Sequence, residues 1–415
     1  MSPRRPRLMT IGFNIYGTGL TRVMRTLCAE WAERFEIDYL GIGRSDPMEE
    51  IGGVRMWPTN TRGGGDAFAA FQALDMARDT PPDTVLILHD IWMFEYYTRV
   101  LAPLRPRSKL VGYIPLDGDI ADPAIAAPLT GLDRVVVYTD WAAQEITRAF
   151  DALARDGHPG PFPPVDIAFH GVDTAAFAPD PALVAAGFDP RARAAVKREV
   201  FGDLPGIEDS FVVLNAARPC VRKRVDLTIA GFARFAQGKP DTVKLCLHHA
   251  IAEDETQDLL SLIDTHGIRD RVVLNPLNTH GKPLSEGDLA RLYRACDVGL
   301  NTAMGEGWGL VSFEHAATGA AQVLPDHTAC GALWSQETAQ MIRPEAAVIP
   351  GFSPLRMGEV TAAGTADALQ ALWADRARLA RLGAAGCDYV HGAAFRWPTI
   401  AARFAPLLNP ETVPA

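Results

Sequence analysis

An α/β protein built from two facing doubly wound (Rossmann-like) domains with a cleft between them is what this sequence predicts. Three observations carry that expectation. Short apolar runs alternate with longer helical patterns through most of the chain, the mark of parallel strands joined by crossover helices. Its 415 residues suffice for two or three domains, each with a full core. The alternation falls into two separate series of domain size, with no short repeat visible.

In the first series, strands are expected at 8–13, 37–42, 84–88, 109–114, 134–138 and 165–169, with helical patterns at 21–34 and 66–78. In the second, strands are expected at 211–216, 244–248, 272–275, 298–301 and 322–324, and helices at 226–235, 255–266, 286–295 and 310–318. The Pro/Gly-rich segment 156–164 leads into another strand and then His170-Gly171-Val172-Asp173, so it reads as a surface loop of the first domain. The linker is expected at the start of 174–210, which divides the chain into domains 1–175 and 176–394. In such sheets ligands gather at the carboxyl ends of the strands.

Composition excludes several classes. Apolar residues make up 48% and charged residues 22%, as in ordinary globular chains. The net charge of −10, from 40 basic and 50 acidic residues, gives no overall pull towards nucleic acid or an anionic membrane. Six scattered cysteines without a C-x-x-C pair argue against zinc or a disulfide framework and fit a reducing cytoplasm. Ser2-Pro3-Arg4-Arg5-Pro6-Arg7 has the charge of a signal-peptide start, but the apolar run behind it breaks at Gly12, Asn14 and Gly17. No stretch reaches ~20 apolar residues, so membrane contact, if any, is expected to be peripheral. Oligomeric state is not legible.

The most informative segment is Gly305-Glu306-Gly307-Trp308-Gly309-Leu310, followed by Glu314. Gly307 and Gly309 let backbone approach a ligand closely, and the helix start behind them supplies unpaired N–H groups and partial positive charge, which suit phosphate. Glu306 precedes that helix and Glu314 lies about one turn inside it. The pair should meet different parts of one elongated ligand, as in a sugar nucleotide: sugar hydroxyls, diphosphate, ribose hydroxyls.

Four further sites follow strand ends. Gly17 and Gly19, in Asn14–Arg22, sit between strand and helix as in dinucleotide-binding loops, although Arg22 takes the place of the third fingerprint glycine. His89-Asp90 ends the apolar run Thr84-Val85-Leu86-Ile87-Leu88. Asp117-Gly118-Asp119 can be a turn, an acceptor-side group or a divalent-metal site. Arg218 follows strand 211–216, and Lys223 comes five residues later; an Arg fork and a Lys point charge suit a diphosphate.

Glu306 and Glu314, with their Gly-Trp-Gly surround, together with Arg218, Lys223 and His170-Gly171-Val172-Asp173, resemble the motifs of the family 4 retaining glycosyltransferases of the GT-B fold. The resemblance covers most of the chain and is most specific in its second half. It implies that a closing helix at 395–415 returns to the first domain. It also implies that Arg218 and Lys223 hold the leaving phosphates, and that Gly17, Gly19, Gly307, Trp308, Gly309 and Leu310 line the donor site. Glu306 then meets sugar hydroxyls, Glu314 the ribose, and His89 the reacting sugar. Arg224 departs from the family, which usually has glycine there. No metal cofactor is expected, and Asp117 and Asp119 are read as acceptor-side candidates, with a catalytic metal as their alternative. The acceptor (glycan, lipid, protein or small molecule), the base and the sugar stay open. Trp57-Pro58 and Gly63-Gly64-Gly65-Asp66 are expected to form a mobile acceptor loop. Competing readings are a nucleotide-sugar epimerase, a nicotinamide-dependent dehydrogenase, and a non-catalytic sugar-nucleotide-binding protein.

Overall fold

The apolar run Thr84–Leu88 can bury both of its faces only inside a covered parallel sheet, and the computed structural model places it there, fully buried. The structure describes residues 4–59, 66–202, 204–249, 259–277 and 284–409. The chain divides into two compact units, Met1–Gly171 with Ala394–Ala415, and Val172–Ala393.

The first unit runs β1 (Arg7–Phe13), α1 (Gly19–Trp31), β2 (Glu36–Ile42), β3 (Glu49–Ile51), β4 (Val54–Pro58), α2 (Ala70–Met76), β5 (Thr84–Leu88) and α3 (Phe94–Leu101). It continues with β6 (Lys109–Ile114), β7 (Asp119–Ile120), β8 (Arg134–Val137), α4 (Asp140–Arg155) and β9 (Val165–Ile167). Its sheet has eight strands in the order β3-β4-β2-β1-β5-β6-β8-β9. Every pairing is parallel except the β3–β4 hairpin at one edge.

In the second unit come α5 (Pro181–Ala185), α6 (Ala194–Phe201), β10 (Phe211–Asn215), α7 (Val225–Ala236), β11 (Val243–Leu247), α8 (Leu259–Thr265), β12 (Val272–Leu274) and α9 (Glu286–Arg294). Then follow β13 (Val298–Leu300), α10 (Leu310–Ala317), β14 (Ala321–Pro325), α11 (Thr328–Leu333), β15 (Gln340–Ile342), β16 (Ala346–Val348), β17 (Leu355–Glu359), α12 (Ala362–Ala374) and α13 (Arg376–Val390). Its six parallel strands are ordered β12-β11-β10-β13-β14-β15, while β16 and β17 pair antiparallel. Phe211, Val213, Ile229, Phe232, Leu245 and Leu369 belong to one buried cluster between sheet and helices. A fully buried Lys197–Asp297 ion pair of 2.8 Å ties α6 to the start of β13.

The last helix, α14 (Trp397–Phe404), belongs to the first unit. Trp31 Nε1 donates to the Ala401 carbonyl at 3.0 Å, the Trp31 and Phe404 rings meet edge-on at 5.2 Å, and Thr84 Oγ1 donates to the Leu408 carbonyl at 2.8 Å. Gly171 packs so tightly on Trp397 that a Cβ there would stand 2.6 Å from the indole.

Two expectations need correction. Trp57 and Pro58 are not in a mobile loop: they close strand β4. Trp57 Nε1 donates to Asp38 at 2.8 Å, and Arg55 forks onto the same carboxylate at 2.7 and 2.8 Å. That interaction holds the Asp38 carboxyl below its ordinary range although burial pushes it up. Gly63, Gly64 and Gly65 lie outside the described residues, as do positions 255–258 of the expected helix 255–266. The helix expected over 66–78 begins only at Ala70, because Ala69 adopts a left-handed backbone, φ +62°.

Candidate functional site

Parallel register aligns the carboxyl ends of β10, β13 and β14 along one edge of the second sheet, and the charged groups gather there. Lys223 lies in the turn between β10 and α7. It donates to both oxygens of Glu306, at 2.6 and 2.7 Å. Asn301, one residue past β13, donates from Nδ2 to Glu306 Oε1 at 3.0 Å, and Arg222 stands 3.6 Å from Glu306 Oε2. Burial pushes the Glu306 carboxyl up, but Lys223 and Arg222, with the hydrogen bonds of Lys223 and Asn301, outweigh it and hold the group below its usual range. Glu306 is thus an anion in a buried place, fixed from three sides.

The backbone around this pair is equally constrained. Arg222 donates to the Gly305 carbonyl, and the Met304 N–H donates to the Arg222 carbonyl at 2.8 Å. Arg224, where the resembling family has glycine, takes the left-handed conformation at φ +47°. Its guanidinium forks onto Asp226 at 2.8 and 2.9 Å and reaches Glu359. Thr302 Oγ1 donates to the Arg224 carbonyl at 2.8 Å. A second non-glycine residue, Thr328, is also left-handed, φ +52°, and its Oγ1 accepts the Glu306 N–H at 3.2 Å. Such backbone costs of order 1–3 kcal/mol per residue and survives where surroundings over-determine it.

Beside the pair, α10 begins at Leu310 with Gly309 as its N-cap, φ +91° and no capping side chain. Only Cys330 Sγ, at 3.9 Å, would meet a Cβ at Gly309; backbone conformation rather than crowding selects glycine there. Gly309 thus offers the first N–H groups of α10 no capping side chain, an arrangement that suits an anion. Gly307 is half-buried on the approach to that helix. Glu314 lies one turn inside it, buried. Trp308 is buried and stacked on Phe313 with ring centroids 4.8 Å apart, so it braces the loop from the core side. Arg218, just past β10, is exposed.

In the first unit the candidates follow the ends of the neighbouring strands β1, β5 and β6. Gly17 is left-handed at φ +84° and Gly19 opens α1. Thr21 pins the loop between them: its Oγ1 accepts the Ile15 N–H at 2.9 Å and donates to the Phe13 carbonyl at 3.0 Å. His89 follows β5 and is buried between Phe13, Phe68 and Tyr97, at 5.0, 5.7 and 5.8 Å between ring centroids. Its Nδ1 accepts the Asp90 N–H at 2.8 Å, and burial holds the imidazole down to about 4. His89 is therefore neutral at pH 7, with its proton on Nε2. Asp117 is half-buried and Asp119 opens β7. Among the described residues no three His, Cys, Asp or Glu side chains cluster closely enough to hold a metal ion. His170 is fully enclosed by Tyr138 and Trp397, a structural position.

Sequence reasoning missed Asn301 and Thr328. Asn301 carried a readable signal, a polar residue ending an apolar strand; Thr328 carried none, because nothing in its type foretells a left-handed backbone.

No family model matches this chain. A D-inositol 3-phosphate glycosyltransferase of Arthrobacter sp. (strain FB24) is 28% identical over 273 residues, 66% of this chain and 54% of the relative; this chain thus spans about half the length of the curated relative it matches. Among solved structures, a sucrose-phosphate synthase from Thermosynechococcus elongatus superposes with a TM-score of 0.70 at 18% identity, over 97% of this chain and 98% of the other. Anabaena HepE in complex with UDP and glucose gives 0.69 at 13% identity, over 97% and 99%. The fold is the GT-B fold of two Rossmann-like domains. No helix among the described residues is long and apolar enough to cross a membrane.

Proposed function

We propose that this chain is a retaining glycosyltransferase of the family 4 type, moving a hexose-like sugar from a nucleoside diphosphate sugar to an acceptor hydroxyl without a metal ion, in the cytoplasm. One observation carries the reading: a buried carboxylate, Glu306, held by Lys223, Asn301 and Arg222 beside the uncapped start of α10. The relatives named as glycosyltransferases support it.

The chemistry follows from charge. As the glycosidic bond breaks, negative charge grows on the departing diphosphate, and preorganised cations act on such charge most strongly. Lys223 spends two of its three N–H groups on Glu306 and keeps one for phosphate; exposed Arg218 adds a fork, and the α10 N–H groups a further ~0.3–1 kcal/mol. Glu306 accepts from donor-sugar hydroxyls, and Glu314 from the ribose. His89 donates from Nε2 to a sugar oxygen without bringing a charge. The departing phosphate takes the acceptor proton, so the configuration is retained without a covalent glycosyl–enzyme. Asp117 and Asp119 are assigned to the acceptor side.

The test is a panel of labelled UDP, GDP and ADP sugars incubated with candidate acceptors in excess EDTA, with the anomeric configuration of the product read by NMR. Acceptor-dependent transfer with retained configuration is expected. Nucleotide release that ignores the acceptor, or activity abolished by EDTA, overturns the reading.

A further inference from the structure

Glycine takes the left-handed backbone at Gly309, but at the start of α11 the left-handed residue is Thr328, φ +52°. There a β-branched side chain is an outlier and glycine would sit without strain. The side-chain bonds of Thr328 run through its hydroxyl. Oγ1 donates to the His327 carbonyl at 2.8 Å and accepts the Glu306 N–H at 3.2 Å, and the N–H of Ala329 donates to the Glu306 carbonyl at 3.2 Å. Both backbone groups of Glu306 are thereby tied to consecutive residues of one strained turn. The half-buried imidazole of His327 places Nδ1 3.3 Å from the same hydroxyl, and it packs on Gly358, where a Cβ would stand 2.6 Å from the ring. Gly358 in turn donates to the Met304 carbonyl at 3.0 Å. The loop that carries Glu306 is thus fastened at Met304, at Glu306 and, through Arg222, at Gly305.

Strain of this kind persists where a fold over-determines a backbone, and it gathers at working sites. A structural turn needs only the bend, which glycine provides; what glycine cannot provide is the hydroxyl that meets Glu306. We propose that Thr328 is a positioning residue for Glu306: its hydroxyl and left-handed backbone fix the rotation of the Glu306 peptide, and so the place where that carboxylate meets the donor sugar. The proposal rests on the glycosyltransferase reading above. It assigns the three parts of threonine separately. Serine keeps the hydroxyl, valine keeps the shape without it, and glycine keeps the backbone without either.

The experiment compares Thr328→Ser, Thr328→Val and Thr328→Gly by amide hydrogen exchange and by steady-state kinetics with the donor that the panel identifies. In Thr328→Val and Thr328→Gly, exchange in the peptide containing Glu306 should rise roughly five- to tenfold, the effect of one buried hydrogen bond. Turnover should drop by about tenfold while KM for the donor stays within about threefold, because a displaced Glu306 carboxylate loses more in the transition state than in the bound ground state. Thr328→Ser should restore both. Wild-type exchange at Glu306 in the valine variant overturns the proposal. So does unchanged kcat despite faster exchange, and so does a rise in exchange spread across β11 and α12, which would assign the effect to folding. A wild-type protein that turns over no donor sinks the glycosyltransferase reading by itself; the exchange comparison then still decides for or against the tie between Thr328 and Glu306.

Discussion

The eight-stranded and six-stranded sheets end on different chemistry. At the carboxyl edge of the second unit, opposite charges are paired, partly buried and held by strained backbone: Lys223 on Glu306, Arg224 on Asp226 and Glu359, Thr328 under Glu306. At the carboxyl edge of the first, His89 is neutral, set among aromatic rings, and the glycine loop is pinned by Thr21. A surface that must meet a diphosphate of fixed charge benefits from preorganised cations. On the glycosyltransferase reading proposed above, the growing charge of the leaving group falls to the second unit.

That division can be broken most directly at Glu306. Glu306→Gln keeps the shape but removes the charge that Lys223 answers, and turnover should fall by about ten- to a hundredfold, the worth of one or more charge-assisted hydrogen bonds. A loss under about threefold would show that the carboxylate is not used. The next contrast is between the two cations. Lys223→Ala strands a buried carboxylate, which typically costs about 3–5 kcal/mol, so its denaturant midpoint should fall well below that of wild type. Arg218→Ala, at an exposed position, should leave stability within ~0.5 kcal/mol and weaken nucleoside diphosphate binding by about tenfold. Equal stability of the two variants would contradict the buried pair.

The first unit is tested by pH. The His89 imidazole sits at about 4, below the free value of 6.5, so the unfolded chain takes up its proton first as pH falls. The stability contributed by neutral His89 is full above 6.5 and is lost as pH drops from 6.5 towards 4. His89→Phe should flatten the decline of the thermal midpoint across that window, and wild-type transfer should show no step near pH 6.5 from this group. The smallest effect is expected from Asp117→Asn combined with Asp119→Asn. It should change acceptor KM by a few fold, leave donor affinity untouched, and leave activity in EDTA as it is in wild type.

Much of the fold could be read from the sequence because parallel strands buried on both faces leave unbroken apolar runs: the expectations 84–88 and 109–114 coincide with β5 and β6. The β3–β4 hairpin was hidden because its edge strand is exposed and its anchor is Asp38, a residue on another strand. The alanine-rich helices α12 and α13 were also unread, since small residues give little contrast between faces. At the site, charge type and spacing pointed to Glu306, Lys223 and Arg218. That Lys223 binds Glu306 itself was not legible, because 83 positions separate them. Nor could residue type reveal that Arg224 and Thr328 hold backbone that glycine normally takes.

The most direct test is a crystal structure of the protein soaked in turn with UDP, GDP and ADP. Diphosphate oxygens are expected ~2.7–3.2 Å from Lys223 Nζ and the Arg218 guanidinium, at the start of α10, with Lys223 still in contact with Glu306. A diphosphate seated instead at the Gly17–Gly19 loop, with Lys223 and Arg218 clear of it, would contradict that expectation.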